Sequence, residues 1–172
     1  MSKVSCIVLA AGAGRRMGHD ENKIFIKLGQ KSIIQWTLSH INQVKAVSEV
    51  ILVVADGEAS YMEQHIASLG LSKLIKIVTG GKERQDSVYA GLQAVGDDID
   101  IVLVHDGARP LAKPELFERV IEGAETHGAV TIGVPSTDTI KRVDIDGQVL
   151  ETLNRNELMN IQTPQGLSLI HI

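Results

Sequence analysis

The sequence has few aromatic residues and no long run of positive charge. Phenylalanine, tyrosine and tryptophan make up 3% of its 172 residues. Proteins that bind single-stranded nucleic acid stack bases on aromatic side chains, so this composition argues against such a partner. The net charge is −4 and no basic run is longer than Arg15-Arg16, which argues against a polyanion-binding surface. The composition is still compatible with a small anionic ligand bound by a few local positive charges.

The chain also has little cysteine and no long apolar run. The single cysteine, Cys6, excludes an internal disulfide and leaves too few sulfur ligands for a structural zinc site. We expect Cys6 to be buried and inert. No apolar run approaches the length of a membrane span. The short apolar N-terminal stretch is followed by two arginines, which argues against a secretory signal. We therefore expect a cytoplasmic protein without a membrane partner.

What is present fits one globular α/β domain. Hydrophobic residues make up 44% of the chain and charged residues 22%, and the length allows a sizeable core. Apolar runs typical of buried strands alternate with helical patterns, which predicts a mostly parallel sheet flanked by helices. The predicted strands are residues 4–10, 49–55, 74–78, 100–104 and 129–134, and the predicted helices are residues 32–44, 57–70, 83–95 and 114–126.

After this series the pattern changes to two alternating strands. Residues 139–155 flank an Asp146-Gly147 pair, which is typical of a β-hairpin turn. The segment is polar and follows a completed α/β series. Two interpretations stay open: an arm that packs on a partner subunit, or a hairpin at the edge that faces solvent.

The first strand is followed by the stretch LAAGAGRRMG. A dinucleotide-binding loop needs a third glycine where Met17 stands, and an acid about twenty residues on. Asp56 comes too late in the chain. A P-loop is also excluded, because no Gly-Lys-Ser/Thr follows. Small residues, two arginines and the later Lys23 are compatible with a phosphate site. They are equally compatible with a turn that carries solvated cations.

Two further segments follow predicted strands, and ligands of open parallel sheets bind at the carboxyl ends of strands. In TGGKERQDSV, Gly80 and Gly81 allow close backbone approach, while Arg84 and Ser87 begin a helix whose N-terminus favours anions. In VHDGARP, Asp106 directly follows a strand and could hold Mg²⁺ beside phosphates. Capping and turn chemistry would explain the same residues without a ligand. No protein nucleophile stands out, which suits phosphoryl-type transfer by positioning and charge neutralisation.

As an ordered set, the motifs resemble 2-C-methyl-D-erythritol 4-phosphate cytidylyltransferases, the CTP-using enzymes of the non-mevalonate isoprenoid pathway. The motifs are LAAGAGRRMG, NKIFIKL, GGKERQDSV, HDGARP, DTIKR, LNRNEL and QTPQ, and the resemblance covers residues 4–165. It implies a Rossmann-like nucleotidyltransferase fold in a single domain over residues 1–172. It also implies that residues 136–157 form a projecting β-arm through which the protein is a homodimer.

The resemblance implies the following site. Arg16 and Lys23 would stabilise the α-phosphate in the transition state, and Arg155 would be a third catalytic residue. Mg²⁺ would be the cofactor, with Asp106 beside it. CTP would bind to Ala10, Ala11, Gly12, Ala13, Gly14, Gly80, Gly81 and Ser87. The sugar-alcohol phosphate, methylerythritol phosphate, would bind to Asp106, Ala108, Arg109, Thr139 and Thr163, with Thr139 and Arg155 reaching across the dimer.

The end of the chain departs from the family pattern. Residues 166–172, GLSLIHI, do not resemble the family, in which an aromatic residue, a helix and a later substrate-positioning lysine usually follow. We therefore expect a fragment truncated at its C-terminus, with uncertain activity. Three alternatives are weighed: a ribitol-5-phosphate cytidylyltransferase, an inactive fragment that binds nucleotide or a partner, and a nicotinamide-dependent oxidoreductase. The missing third glycine and the late acid speak against the oxidoreductase.

Overall fold

The computed structural model describes residues 2–12 and 22–171. Its helices are α1 (Ile33–Gln43), α2 (Ala59–Ile66), α3 (Arg84–Gln93) and α4 (Pro114–His127), with short 3-10 turns at Lys23–Phe25, Ala67–Leu69, Arg155–Glu157 and Leu169–His171. Its strands are β1 (Val4–Leu9), β2 (Lys27–Leu28), β3 (Lys31–Ser32), β4 (Val47–Val54), β5 (Leu74–Thr79), β6 (Ile101–Asp106), β7 (Ala129–Pro135), β8 (Lys141–Val143), β9 (Val149–Thr152) and β10 (Met159–Ser168).

Six strands form one sheet in the order β5-β4-β1-β6-β10-β7. The pairs β1–β4, β1–β6 and β4–β5 are parallel, whereas β10 runs antiparallel to both β6 and β7. Helices α1, α2 and α4 contribute to the core on one face, and α3 packs against the other face. The predicted α/β class with a mostly parallel sheet between helices is confirmed.

The central strands are apolar on both faces because both faces are covered. In β1, Val4, Cys6 and Val8 pack into the larger core with Leu38 and Phe117. Side chains alternate along a strand, so Ile7 points the other way, into a second cluster with Ile51 and Val53. Strands buried on both faces read as continuous apolar runs. This is why β1, β4 and β6 are recognisable from sequence.

Helix boundaries follow local capping chemistry. Ser32 and Gln35 form a reciprocal capping box at the start of α1, which satisfies backbone N–H groups that have no partner within the helix. Pro114 lies in the first turn of α4, and Gly128 ends it with a φ of 81°. The predicted helix over 57–70 is shorter in the structure, because a 3-10 turn follows α2 before Gly70.

The last long strand was not predicted as part of the sheet. β10 lies between β6 and β7, with Gly166 opposite Leu103. A Cβ at Gly166 would lie 2.7 Å from Val120 Cγ1 of α4, so the helix packs directly on this glycine. Residues 166–168, the beginning of the segment expected to depart from the family pattern, are therefore part of the central sheet.

The predicted hairpin is present as a separate two-stranded sheet of β8 and β9. Its turn is closed by Asp144, whose side chain accepts hydrogen bonds from the backbone N–H groups of Asp146 and Gln148. Gly147 has a φ of 81°, a conformation that favours glycine. Within the described ranges, no helix is both long and apolar enough to cross a membrane.

Candidate active site

A cavity of about 510 Å³ opens at the carboxyl ends of β1 and β6 and at the start of α3. This is the edge at which open α/β sheets bind ligands. Among the described residues, its lining includes predicted site residues from the segments after β1, after β5 and at the end of β6, together with Lys23. These are Ala10, Ala11, Gly12, Lys23, Gly81, Ser87, Asp106, Ala108 and Arg109, and the lining also includes Leu9, Ile24, Lys82, Glu83 and Arg84. The fold thus brings together residues that lie almost a hundred positions apart in the sequence.

The glycine pair after β5 fits tightly against the end of β1. A Cβ at Gly80 would lie 2.7 Å from Ser87 Oγ and 2.9 Å from Ala11 Cβ. The backbone N–H of Gly81 donates a hydrogen bond to Ser87 Oγ over 3.2 Å, and Ser87 is buried. The absence of a side chain at Gly80 therefore serves packing within the protein. Gly81 lines the cavity and is also closely packed, because a Cβ there would lie 2.2 Å from Asp86 Cβ.

The N-terminus of α3 is capped by the chain's own acidic residues. Glu83 and Asp86 form a capping box, in which Glu83 N–H donates to Asp86 Oδ2 over 3.0 Å. Backbone N–H groups at the start of the helix therefore have hydrogen-bond partners without a ligand. Arg84, in the same turn, extends to the carboxylate of Asp106.

Asp106, the last residue of β6, is held between two arginines. Arg109 Nε lies 3.0 Å from Asp106 Oδ2, and Arg84 Nη2 lies 3.3 Å from Asp106 Oδ1. Burial acts to raise the pKa of the Asp106 carboxyl, but the hydrogen bonds and charges of the two arginines outweigh it and lower the pKa below its ordinary value. Gln162 also accepts a hydrogen bond from Arg109. The cavity therefore contains an ionised carboxylate whose partners are cations that could also bind phosphate.

Thr163 lies in the protein interior and binds the backbone of Asp106. Its Oγ1 accepts a hydrogen bond from the backbone N–H of Asp106 over 3.2 Å and lies 3.1 Å from Nδ1 of the buried His105. Thr163 is 6% exposed and is not in the described lining of the cavity. Burial lowers the pKa of His105 to about 4, so its imidazole is neutral at pH 7.

Lys23 enters the cavity from the short 3-10 turn that follows Asn22. It lies between the buried Asn22 and Ile24, so its backbone is anchored on both sides. Its predicted companions Ala13, Gly14 and Arg16 lie outside the described residues.

Two predicted site residues lie away from the cavity within one chain. Thr139 is exposed before β8, and Arg155 is exposed in the 3-10 turn after β9. Neither belongs to the described lining. Both flank the hairpin, the segment expected to reach a second subunit. Their roles stay predictions.

Sequence reasoning missed the contact of Arg84 with Asp106 and that of Gln162 with Arg109. Arg84 lies inside the second glycine-containing motif, in the first turn of a helix that follows a strand. That position was the one feature of the sequence that could have indicated a role in the site. Gln162 gives no such signal, because its contact depends on the position of β10 beside β6.

Comparison with known proteins identifies the family of the chain. The family model described as IspD, 2-C-methyl-D-erythritol 4-phosphate cytidylyltransferase, matches residues 4–172. A relative of that name from Alkaliphilus metalliredigens is 47% identical over 165 residues, which cover 95% of this chain and 68% of the relative. One from Pelotomaculum thermopropionicum is 45% identical over 167 residues, covering 96% and 70%.

Solved structures give the same result. The crystal structure of 4-diphosphocytidyl-2C-methyl-D-erythritol synthase from Anaerococcus prevotii matches with a TM-score of 0.85 and 32% identity, covering 97% of this chain and 71% of that one. The enzyme from Thermus thermophilus matches with a TM-score of 0.71 and 28% identity, covering 96% and 70%. The fold is thus that of an α/β nucleotidyltransferase. The chain belongs to the 2-C-methyl-D-erythritol 4-phosphate cytidylyltransferase family, as its motifs indicated.

Proposed function

We propose that the protein transfers the cytidylyl group of CTP to 2-C-methyl-D-erythritol 4-phosphate. A phosphate oxygen of the sugar-alcohol phosphate attacks the α-phosphorus of CTP. The bond from that phosphorus to the bridging oxygen of the β-phosphate breaks, and pyrophosphate leaves. The products are 4-diphosphocytidyl-2-C-methyl-D-erythritol and pyrophosphate. The observation that carries this proposal is the cavity where both glycine-containing segments meet Lys23, Arg84 and Arg109.

The chemistry needs cations more than a general base. The attacking phosphate is already ionised, so catalysis rests on positioning and on stabilising charge at the α-phosphate. Lys23 is proposed for this role with Arg16, and its place in the cavity lining supports the assignment. Because both would act on the transition state, Arg16→Ala and Lys23→Ala should each lower kcat by roughly 100-fold or more. Variants that lose only CTP affinity would contradict this role.

CTP is proposed to lie along the glycine-containing segments. The predicted contacts are Ala10, Ala11, Gly12, Ala13, Gly14, Gly80, Gly81 and Ser87. Support comes from Ala10, Ala11 and Gly12, which share the cavity lining with Gly81 and Ser87. Gly80 would act indirectly, by letting the turn after β5 lie against Ala11.

Methylerythritol phosphate is proposed to bind at the other side of the cavity, near Asp106, Ala108 and Arg109. Arg109 presents a guanidinium that suits a phosphate group, and it is oriented by Asp106 and Gln162. Thr163 would contribute by holding the backbone of Asp106. These assignments divide one continuous cavity between two anionic substrates.

Mg²⁺ is proposed as the cofactor. Among the described residues, no group of three or more His, Cys, Asp or Glu side chains is placed to hold a metal. Mg²⁺ commonly binds through one or two carboxylates together with substrate phosphates, and the single carboxylate of Asp106 fits that pattern. Asp106 would be the protein ligand, and the bound ion would neutralise charge on the triphosphate.

A homodimer is proposed through the hairpin of β8 and β9. Four apolar side chains on it are at least half exposed: Val143 at 50%, Ile145 at 100%, and Val149 and Leu150 at 60% each. A second copy would cover them and bring Thr139 and Arg155 to the partner's cavity. The cytoplasmic location stays a prediction from composition.

Mixing two inactive variants tests the shared site. If Arg155 acts across the dimer, a mixed dimer of Lys23→Ala and Arg155→Ala protomers contains one site with both residues intact. Unfolding and refolding the two variants together should then restore part of the activity, while each variant treated alone stays inactive. A mixture that stays inactive although mixed dimers form would contradict the shared site.

A further inference from the structure

The buried side chain of Asn22 connects the Lys23 segment to the central sheet. Its Nδ2 donates to the carbonyl of Ala10 over 2.9 Å and to Glu58 Oε2 over 3.3 Å. Its Oδ1 accepts from the backbone N–H of Ile24 over 3.4 Å. Asn22 is 7% exposed. Both amide hydrogens and the amide oxygen therefore have partners, which fixes the orientation of the side chain.

The three partners of Asn22 lie in, or directly beside, elements of secondary structure. Ala10 follows β1 directly, and its own N–H donates to Val53 O of β4 over 2.7 Å. Glu58 immediately precedes α2. Ile24 lies within the 3-10 turn that carries Lys23. The side chain of Asn22 thus joins the end of β1, the start of α2 and the backbone on both sides of Lys23.

A separate contact anchors the residues after Lys23. Phe25 packs edge-on against Tyr61 and His65 of α2, with ring centroids 4.7 Å and 5.0 Å apart. This contact secures the segment to α2 but makes no link to β1. Of the side chains described around Lys23, Asn22 is the one that hydrogen-bonds to the first cavity-lining segment, at Ala10.

We propose that Asn22 is a positioning residue for cytidylyl transfer, acting through Lys23. It holds the lysine at a fixed distance from the end of β1, where the first glycine-containing segment begins. This inference rests on the proposed function, in which Lys23 stabilises the α-phosphate. Catalytic groups must be held closely to be effective, and a displacement of about 1 Å can cost roughly 100-fold in rate.

Two substitutions and a matched control test the role of Asn22. Asn22→Ala removes all three hydrogen bonds, and Asn22→Asp keeps the acceptor for Ile24 but loses both donors and faces Glu58. Both variants should lower kcat by roughly 10- to 100-fold with a smaller change in KM for CTP. Asn42→Ala is the control, because Asn42 also accepts a backbone hydrogen bond, from Ser72 over 3.0 Å, but at an exposed site. It should retain the wild-type kcat.

A double-mutant cycle separates positioning from a general loss of stability. If Asn22 acts through Lys23, adding Asn22→Ala to Lys23→Ala should cost little further activity, measured by product chromatography after long incubation. An equal loss in both backgrounds would overturn the proposal. So would an Asn22→Ala enzyme with reduced thermal stability and unchanged kcat.

Chemical labelling gives a readout that does not need turnover. Lysine acylation with acetic anhydride, mapped by mass spectrometry, should show that CTP protects Lys23 in the wild-type protein and protects it much less in Asn22→Ala. The exposed Lys3 serves as an internal reference. Equal protection in both proteins would refute the role of Asn22. A wild-type protein that binds CTP but releases no pyrophosphate would instead refute the proposed function.

Discussion

Acidification should destabilise the fold through one buried histidine. Burial lowers the pKa of the His105 imidazole from its ordinary value of 6.5 to about 4. The Asp106 carboxylate and a hydrogen bond with the Arg109 backbone act to raise this pKa, and the charge of the Arg109 guanidinium acts to lower it further. The folded state therefore keeps His105 neutral at a pH where the unfolded state protonates it.

The size and sign of the effect follow from proton linkage. The contribution of His105 is complete above pH 6.5, and it is lost as the pH falls from 6.5 to about 4. Because a tenfold change in proton affinity corresponds to about 1.4 kcal/mol, the total loss is about 3 kcal/mol. His65, whose pKa is lowered by burial and by Lys27, contributes with the same sign.

Urea unfolding of the wild type and of His105→Asn at a series of pH values isolates the contribution of His105 to the free energy of unfolding. The wild-type free energy of unfolding should fall more steeply between pH 7 and pH 4.5 than that of the variant, because only the wild type contains His105. The contribution of His65 is the same in both proteins. His127→Asn, at the exposed end of α4, controls for the loss of a histidine. Parallel pH profiles for the wild type and His105→Asn would refute the reasoning.

Two further substitutions test the packing that supports the site. Thr163→Val removes the hydroxyl that accepts from Asp106 N–H and contacts His105 Nδ1, and it should lower the free energy of unfolding by about 1–3 kcal/mol. Gly91→Ala would place a Cβ 2.5 Å from Ile7 Cγ2, so overpacking of α3 on β1 should cost about 1–3 kcal/mol. Both values are measured by denaturant unfolding.

Matched changes at exposed positions provide the controls. Thr131→Val replaces an exposed threonine of β7, and Gln93→Ala replaces an exposed residue in the same helix as Gly91. Each should change stability by less than about 0.5 kcal/mol. If either control destabilises as much as its partner substitution, burial does not explain the effect.

The part of the fold predicted from sequence is the part governed by local pattern. β1 and β4 are continuous apolar runs because both of their faces are covered. Pro114 and Gly128 mark the two ends of α4. β10 could not be found in this way. Its first residues are exposed and its later ones are largely buried, and its place is set by pairing with Leu103 and Thr131, far away in the chain.

In the candidate site, too, the residues marked by local pattern were predicted and the contacts between distant segments were not. Asp106 and Gly81 were predicted because they follow strands, and the carboxyl ends of parallel strands share one edge of the sheet. The ion pair of Arg84 with Asp106 and the hydrogen bond of Asn22 to Ala10 were not predicted. Both depend on the direction of a side chain between segments that are distant in sequence, and the residue types alone do not specify it.

The most direct test of the central claim is the choice of substrate. The purified protein is incubated with CTP and Mg²⁺, together with either methylerythritol 4-phosphate or ribitol 5-phosphate, and pyrophosphate release is recorded. We predict release with methylerythritol 4-phosphate that depends on Lys23. Release with ribitol 5-phosphate alone would contradict the substrate assignment, and release with neither would contradict the proposed activity of this chain.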